Sequence, residues 1–168
     1  MKVAIPKETA QDERRVALVP DTATKLAAAG LEVSVEEGAG SSAFVPDSAY
    51  EAAGVKVVKG VAALLKDADV VLKVQAPSTH EVELLQKGAV LISFLQPATQ
   101  GDIVTALARG GVTAFSLALV PRISPARSLD ARPSQAPAAG YTPVPIPSRP
   151  PAQPLPPLTP PASPAAAP

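Results

Sequence analysis

"VVLKVQAPSTHEVELLQKGAVLISFLQPATQGDIVTALARGGVTAFSL", residues 70–117, alternates short β-branched apolar runs with longer polar segments that open near Ser or Thr and close at glycine. The runs "VVLKV", "AVLISFL" and "VTAFSL" have the length and composition of strands, and "STHEVELLQKG" and "TQGDIVTALARGG" have those of capped helices. Upstream the rhythm is the same. "KVAIP", "LEVSVE" and "VKVV" read as strands, and "PDTATKLAAAG", "PDSAYEAAG" and "GVAALLKDA" read as helices between them. Asp or Ser/Thr stands at the helix starts, while Gly30, Gly54, Gly88 and Gly110 fall at or just past the ends. Parallel strands need crossovers, and helical crossovers cover the sheet they connect. The pattern therefore predicts an α/β domain over residues 1 to about 120, an open, doubly wound, mostly parallel sheet of the Rossmann-like or flavodoxin-like kind.

Proline divides the chain. Of 21 prolines, 16 lie at or after Pro121, so the core must come from the residues before it. "TPVPIPSRPPAQPLPPLTPPASPAAAP", residues 142–168, loses backbone donors and fixes φ so often that a disordered or polyproline II tail is expected. Formal net charge is zero with no basic run, which argues against nucleic acid and anionic membranes as partners. No apolar stretch nears the roughly 18 residues a membrane span needs, and "MKVAIPKETA" has no signal-like apolar region, so a cytoplasmic location without membrane insertion is expected. With no cysteine and only His80, thiolate metal sites, disulfides and a Ser-His-Asp triad are unsupported; no metal is expected. His80 reads as a solvated residue in a first helical turn.

In open α/β sheets, ligands bind beyond the carboxyl ends of the strands. Lys7, Glu8, Arg14 and Arg15 follow the first predicted strand; Lys73 and Gln75 mark the end of the fourth; Gln96 follows the fifth and Arg122 the sixth. Several cations with few facing carboxylates would suit a small anion, since Arg grips a carboxylate or phosphate through two hydrogen bonds. Each alone is equally readable as a solvated loop charge. Lys73 fits that reading least well, because it interrupts an apolar strand where an unpaired charge is expensive to bury. "EGAGSSAF" places Gly38, Gly40 and Ala43 in a G-x-G-x-x-A spacing, but Phe44, Val45 and Pro46 follow where a dinucleotide fingerprint needs a helix to start. A turn is expected there.

"MKVAIPKETAQDERRVALVPDTATKLAAAGLEVSVEEGAG", "VVLKVQAPS", "LISFLQPA" and "PRIS" together resemble the N-terminal region shared by alanine dehydrogenases and proton-translocating nicotinamide nucleotide transhydrogenases, from Met1 to about Ser124. The resemblance implies that Arg15 and Lys73 match residues holding the substrate carboxylate and carbonyl in alanine dehydrogenases. It also places Gln96 where those enzymes carry an acid/base histidine. An amide does not shuttle a proton at neutral pH, so an alanine-dehydrogenase-like oxidoreductase acting on a small 2-oxo acid is the disfavoured alternative. "SFLQPA" is similar to the transhydrogenase version, whose NAD(H)-binding alpha component passes a hydride to NADP(H) on another subunit.

By the same resemblance, residues 125–141 correspond to a segment contacting the nicotinamide, after a domain spanning 1–124. Pro121, Arg122, Ile123, Ser124, Arg127 and Asp130 are its implied cofactor-binding positions, with Arg122 and Asp130 an oriented pair. Arg127 stands at a family glutamine and Pro133 at a family serine. Pro133 and Pro137 each cost about 3 kcal/mol in a helix, so at most a short helix from about Pro125 to Arg132 is expected. No following Rossmann domain is included, and a truncated chain that binds NADH weakly or not at all alone is the expectation. Implied partners are membrane-embedded and NADP(H)-binding subunits and a second copy in a homodimer. A separate reading takes "RPPAQPLPPLTPP" as a P-x-x-P interaction segment without enzymatic function.

Overall fold

The computed structural model of the protein describes residues 1–120. Six strands, β1 (Lys2–Ile5), β2 (Glu32–Glu36), β3 (Lys56–Val58), β4 (Val70–Leu72), β5 (Val90–Ser93) and β6 (Thr113–Ser116), form one sheet in the order β3-β2-β1-β4-β5-β6, and every pairing is parallel. Five helices connect them: α1 (Pro20–Ala28), α2 (Asp47–Ala52), α3 (Val61–Leu65), α4 (Thr79–Leu84) and α5 (Gly101–Gly110). The alternation read along the chain is the one observed. This is the doubly wound, Rossmann-like arrangement, with the strand order reversing between β1 and β4.

Two apolar clusters flank the sheet. On one face Val3, Ile5, Val33 and Val35 meet Leu18, Ala23 and Tyr50 from the α1 and α2 side. On the other, Ala4, Val71 and Leu91 meet Leu64 and Leu65 of α3, Val82 of α4 and Leu107 of α5. Alternate residues of one strand, Val3 and Ala4, thus serve opposite clusters, as the twofold side-chain period of a strand requires.

The ends of the helices differ in detail from the expectation. Pro20 starts α1 at a position where a missing N–H goes unnoticed, and only α4 has a complete capping box. There the Ser78 hydroxyl accepts from the Glu81 N–H at 3.2 Å, while the Glu81 carboxylate accepts from the Ser78 N–H at 2.7 Å. Gly110 is the last residue of α5, and Gly111, at φ 68°, makes the left-handed turn beyond it. Strand β4 is shorter than its apolar run: it ends at Leu72, leaving Lys73 just past the pairing. Among the described residues no helix is long and apolar enough to cross a membrane. The expectations for residues 121–168 lie outside the described residues.

Candidate functional site

The switch in strand order opens the sheet at the carboxyl ends of β1 and β4. Residues 6–19, the connection from β1 to α1, are held across the end of β4 by two carboxylates. Glu8 accepts the Val74 N–H at 2.5 Å and the Gln75 N–H at 3.3 Å, so one side chain satisfies the backbone left unpaired where β4 stops. Glu13 accepts the Gln75 side-chain amide at 2.6 Å and three donors of Arg15: its backbone N–H at 2.9 Å, Nε at 2.8 Å and Nη2 at 2.6 Å.

Lys73 lies at the centre, its side chain only 2% exposed. Its Nζ donates to Glu81 Oε1 at 2.5 Å and stands 3.8 Å from Glu8 Oε2. Glu81 is delivered to that place by the capping box of α4, which fixes its rotamer from the opposite side. A buried charge of this kind is tolerable only when paired and hydrogen-bonded, and here both conditions are met.

The carboxylates respond to these surroundings differently. Burial pushes the Glu8 carboxyl above its ordinary value, against the opposing pull of the Val74 N–H and the Lys73 charge. Burial acts the same way on Glu81, but the Lys73 hydrogen bond and the Ser78 donors outweigh it and hold that carboxyl below the usual range. The Arg15 side chain, overcoming burial, holds Glu13 down at about 2.

The structure therefore joins Glu8, Arg15, Lys73 and Gln75 into one network and corrects the picture of cations with few facing carboxylates. Glu8, Glu13 and Glu81 outnumber Lys73 and Arg15. Sequence reasoning misses Glu13 and Glu81 as site residues, although both carry a signal: Ser78-x-x-Glu81 is a capping box, and Glu13 sits two residues before Arg15. Gln96 is not part of the network. It is exposed after β5, where its backbone N–H donates to Gln100 Oε1 at 2.9 Å and its side chain lies 3.5 Å from the Thr99 hydroxyl. Lys7 and Arg14 are exposed, and His80 is exposed in the first turn of α4. Pro121, Arg122, Ile123, Ser124, Arg127 and Asp130 lie outside the described residues.

The glycine-rich stretch after β2 is a turn. Gly38 gives its N–H to both carboxylate oxygens of Asp47, at 3.0 Å each, so that amide already faces a negative charge and is closed to a phosphate. A short 3₁₀ turn, Ser41–Ala43, follows, and a Cβ at Gly40 would meet the Val45 carbonyl oxygen at 2.5 Å.

Two features define what the β1/β4 edge can hold. Its cations are already paired, so it offers no free positive charge to a diphosphate. Ser93, fully buried at the end of β5, has a hydroxyl with no hydrogen-bond partner. It lies one step beyond the Leu72–Ile92 pair, in register with Lys73. An uncharged group with donors and acceptors, such as a carboxamide or a ribose, fits this edge; a diphosphate does not. Among the described residues no cluster of His, Cys, Asp or Glu is placed to hold a metal ion.

A parallel α/β domain with a polar crevice at its switch point defines a class of nucleotide-associated folds. Within that class the chain belongs to the family described as alanine dehydrogenase/PNT, N-terminal domain, whose model matches residues 4–139. It is 45% identical over 146 residues to the first of the separately encoded pieces of NAD(P) transhydrogenase subunit alpha in Rhodospirillum rubrum, covering 84% of this chain and 38% of that protein. Alanine dehydrogenase of Halomonas elongata is 38% identical over 116 residues, covering 69% of this chain and 31% of the relative. The crystal structure of transhydrogenase from Sinorhizobium meliloti superposes with a TM-score of 0.82 at 41% identity, covering 87% of this chain and 43% of that one. The chain spans less than half the length of each.

Proposed function

We propose that this chain is the N-terminal part of the NAD(H)-binding alpha subunit of a proton-translocating NAD(P) transhydrogenase, supplying one wall of the NAD(H) cleft. The observation that carries this reading over an alanine dehydrogenase is Gln96. It stands where the dehydrogenase resemblance calls for an acid/base histidine, and its amide can hydrogen-bond but cannot carry a proton. Hydride transfer needs no such group from the protein, because the chemistry belongs to the two nicotinamides and the protein holds and orients them.

In this reading the paired edge of Lys73, Glu8, Glu81, Arg15 and Gln75 faces the uncharged nicotinamide end. Pro121, Arg122, Ile123, Ser124, Arg127 and Asp130 contribute the contacts nearest the ring, and the diphosphate is bound by another domain. The domain division at residues 1–124, 125–141 and 142–168 belongs to the same proposal. So do NADP(H) on a partner subunit, membrane-embedded partners, a cytoplasmic position beside that complex, and a homodimeric subunit. With one wall only, the chain by itself binds NADH weakly or not at all.

A chimera tests this: residues 1–120 replace their equivalents in the Rhodospirillum rubrum subunit, and hydride transfer is assayed with the partner subunits present. Activity within about tenfold of the parent is expected. A folded chimera without hydride transfer would sink the reading, and pyruvate reduction gained on Gln96→His would favour the dehydrogenase instead. NADH titrated against the chain alone, followed by its fluorescence, is expected to show no saturation at micromolar concentrations; saturation there would overturn the one-wall account.

A further inference from the structure

We propose that the outer edge of β6 is a self-association surface whose partner is β6 of a second copy of this chain, paired antiparallel about a two-fold axis. Where the proposed function includes a homodimer, this assigns its surface in this chain; it rests otherwise on β6 alone.

β6 is the last strand of the sheet, and Thr113, Ala114 and Phe115 are all exposed, so neither face of the strand is covered at those positions. Phe115 is 57% exposed and Leu119, three residues past the strand, 67%. Thr113 donates its N–H to the Ala89 carbonyl on the β5 side. Backbone direction alternates along a strand, so Ala114 and Ser116 present their N–H and C=O groups outward. An exposed edge of this kind is a template for another strand unless something blocks it.

Nothing charged blocks it. From Val112 to Val120 the sequence reads "VTAFSLALV", without a single ionisable side chain. A two-fold contact sets each residue against a symmetry-related neighbour, so a charge near the axis meets its own kind. The opposite edge is built the other way: β3 carries Lys56, and Lys59 follows it, both exposed. Two copies meeting through β3 would bring lysines together. Charge therefore selects β6 over β3, and a second copy is a partner that its uncharged edge can match without repulsion.

The register follows from the outward groups. Ala114 of one copy and Ser116 of the other form a hydrogen-bonded pair, and its two-fold equivalent lies on the other side of the axis. Between them Phe115 faces Phe115 in the close, non-hydrogen-bonded position, where aromatic pairs interact best. Four residues make a small contact, below the roughly 1,200 Å² of a standard interface, so the association is weak, with a Kd on the order of 0.1 mM.

Sedimentation equilibrium of the full chain over a concentration series tests this, together with amide hydrogen exchange at low and high concentration. The expected result is a mass rising toward twice that of one chain, with the Ala114 and Ser116 amides slowing as it does. Phe115→Lys, at an exposed position, is expected to keep the circular dichroism of the parent and raise the Kd at least about tenfold, whereas Phe115→Tyr retains association. A chain monomeric throughout overturns the proposal. So does a dimer indifferent to Phe115→Lys, although that result leaves a homodimer standing with its contact elsewhere.

Discussion

Beyond β4 the backbone is tied down by charge: Glu8 takes two amides, Lys73 joins Glu8 to Glu81, and Glu13 gathers Arg15 and Gln75. Beyond β2, on the same edge of the same sheet, closure depends mainly on shape. Gly40 lets the Val45 carbonyl and the Tyr50 ring pack against bare backbone, and one carboxylate, Asp47, completes the turn. Fit without side-chain chemistry leaves nothing to address a ligand. The charged closure leaves a crevice lined by donors and acceptors, at the cost of three carboxylates held close together, and the candidate site lies there.

Removing the centre of the charged closure should break that contrast most severely. Lys73→Met strands Glu81 and Glu8 in the interior, and a loss of about 4 kcal/mol is expected in chemical denaturation. Lys73→Met combined with Glu81→Gln should recover most of it, since a neutral pair carries no unpaired charge; a double variant as unstable as the single one would show that Lys73 acts through packing alone.

Gly40→Ala probes the other closure. The added Cβ would sit within 3.0 Å of both the Val45 carbonyl oxygen and the Tyr50 ring, and backbone cannot yield as a flexible side chain can. A loss of about 3 kcal/mol is expected from the same measurement. An unchanged midpoint would mean that the turn is loosely packed, and the contrast between the two closures would lose one side.

The smallest effect is one of pH. Glu13 titrates at about 2 in the folded chain against an ordinary 4.5, so its contribution is present above about 4.5 and is lost as pH falls toward 2. Glu8 runs the opposite way: raised by burial, its favourable share is present at low pH and fades as pH rises through the folded value. Glu13→Gln should therefore flatten the acid limb of the stability profile and lower stability near neutrality by about 1 kcal/mol, a modest figure because the Arg15 side chain is 44% exposed and its charge is screened by solvent. An acid limb of unaltered slope would assign the acid sensitivity to other carboxylates.

The strands are legible because each is a compact β-branched run, and their parallel order follows from the helices between them. What escapes reading is partnership across distance. Lys73 is visible as an awkward charge in an apolar run, yet its partner Glu81 looks like a helix cap and nothing more; one side chain performs both tasks, and only the fold brings them together. Glu13 is hidden for a similar reason, since its contact with Gln75 spans 62 residues. The apolar run puts the end of β4 too late because Val74 continues it, although the Val74 N–H goes to a carboxylate and not to a neighbouring strand. At Gly38 the turn is readable from Pro46, which forbids the early helix a nucleotide fingerprint needs.

The bond from the Val74 amide to Glu8 joins residues 66 apart. β1, β2 and β3 pair among themselves, as do β4, β5 and β6, and the β1–β4 ladder is where these two groups meet. On a growing polypeptide Glu8 waits through more than half of the described chain before its partner exists, so the crevice is a late product of folding. A molecule seated across it would act as a clasp between two blocks of strands, and slowed separation of those blocks would register its arrival even where no chemistry follows.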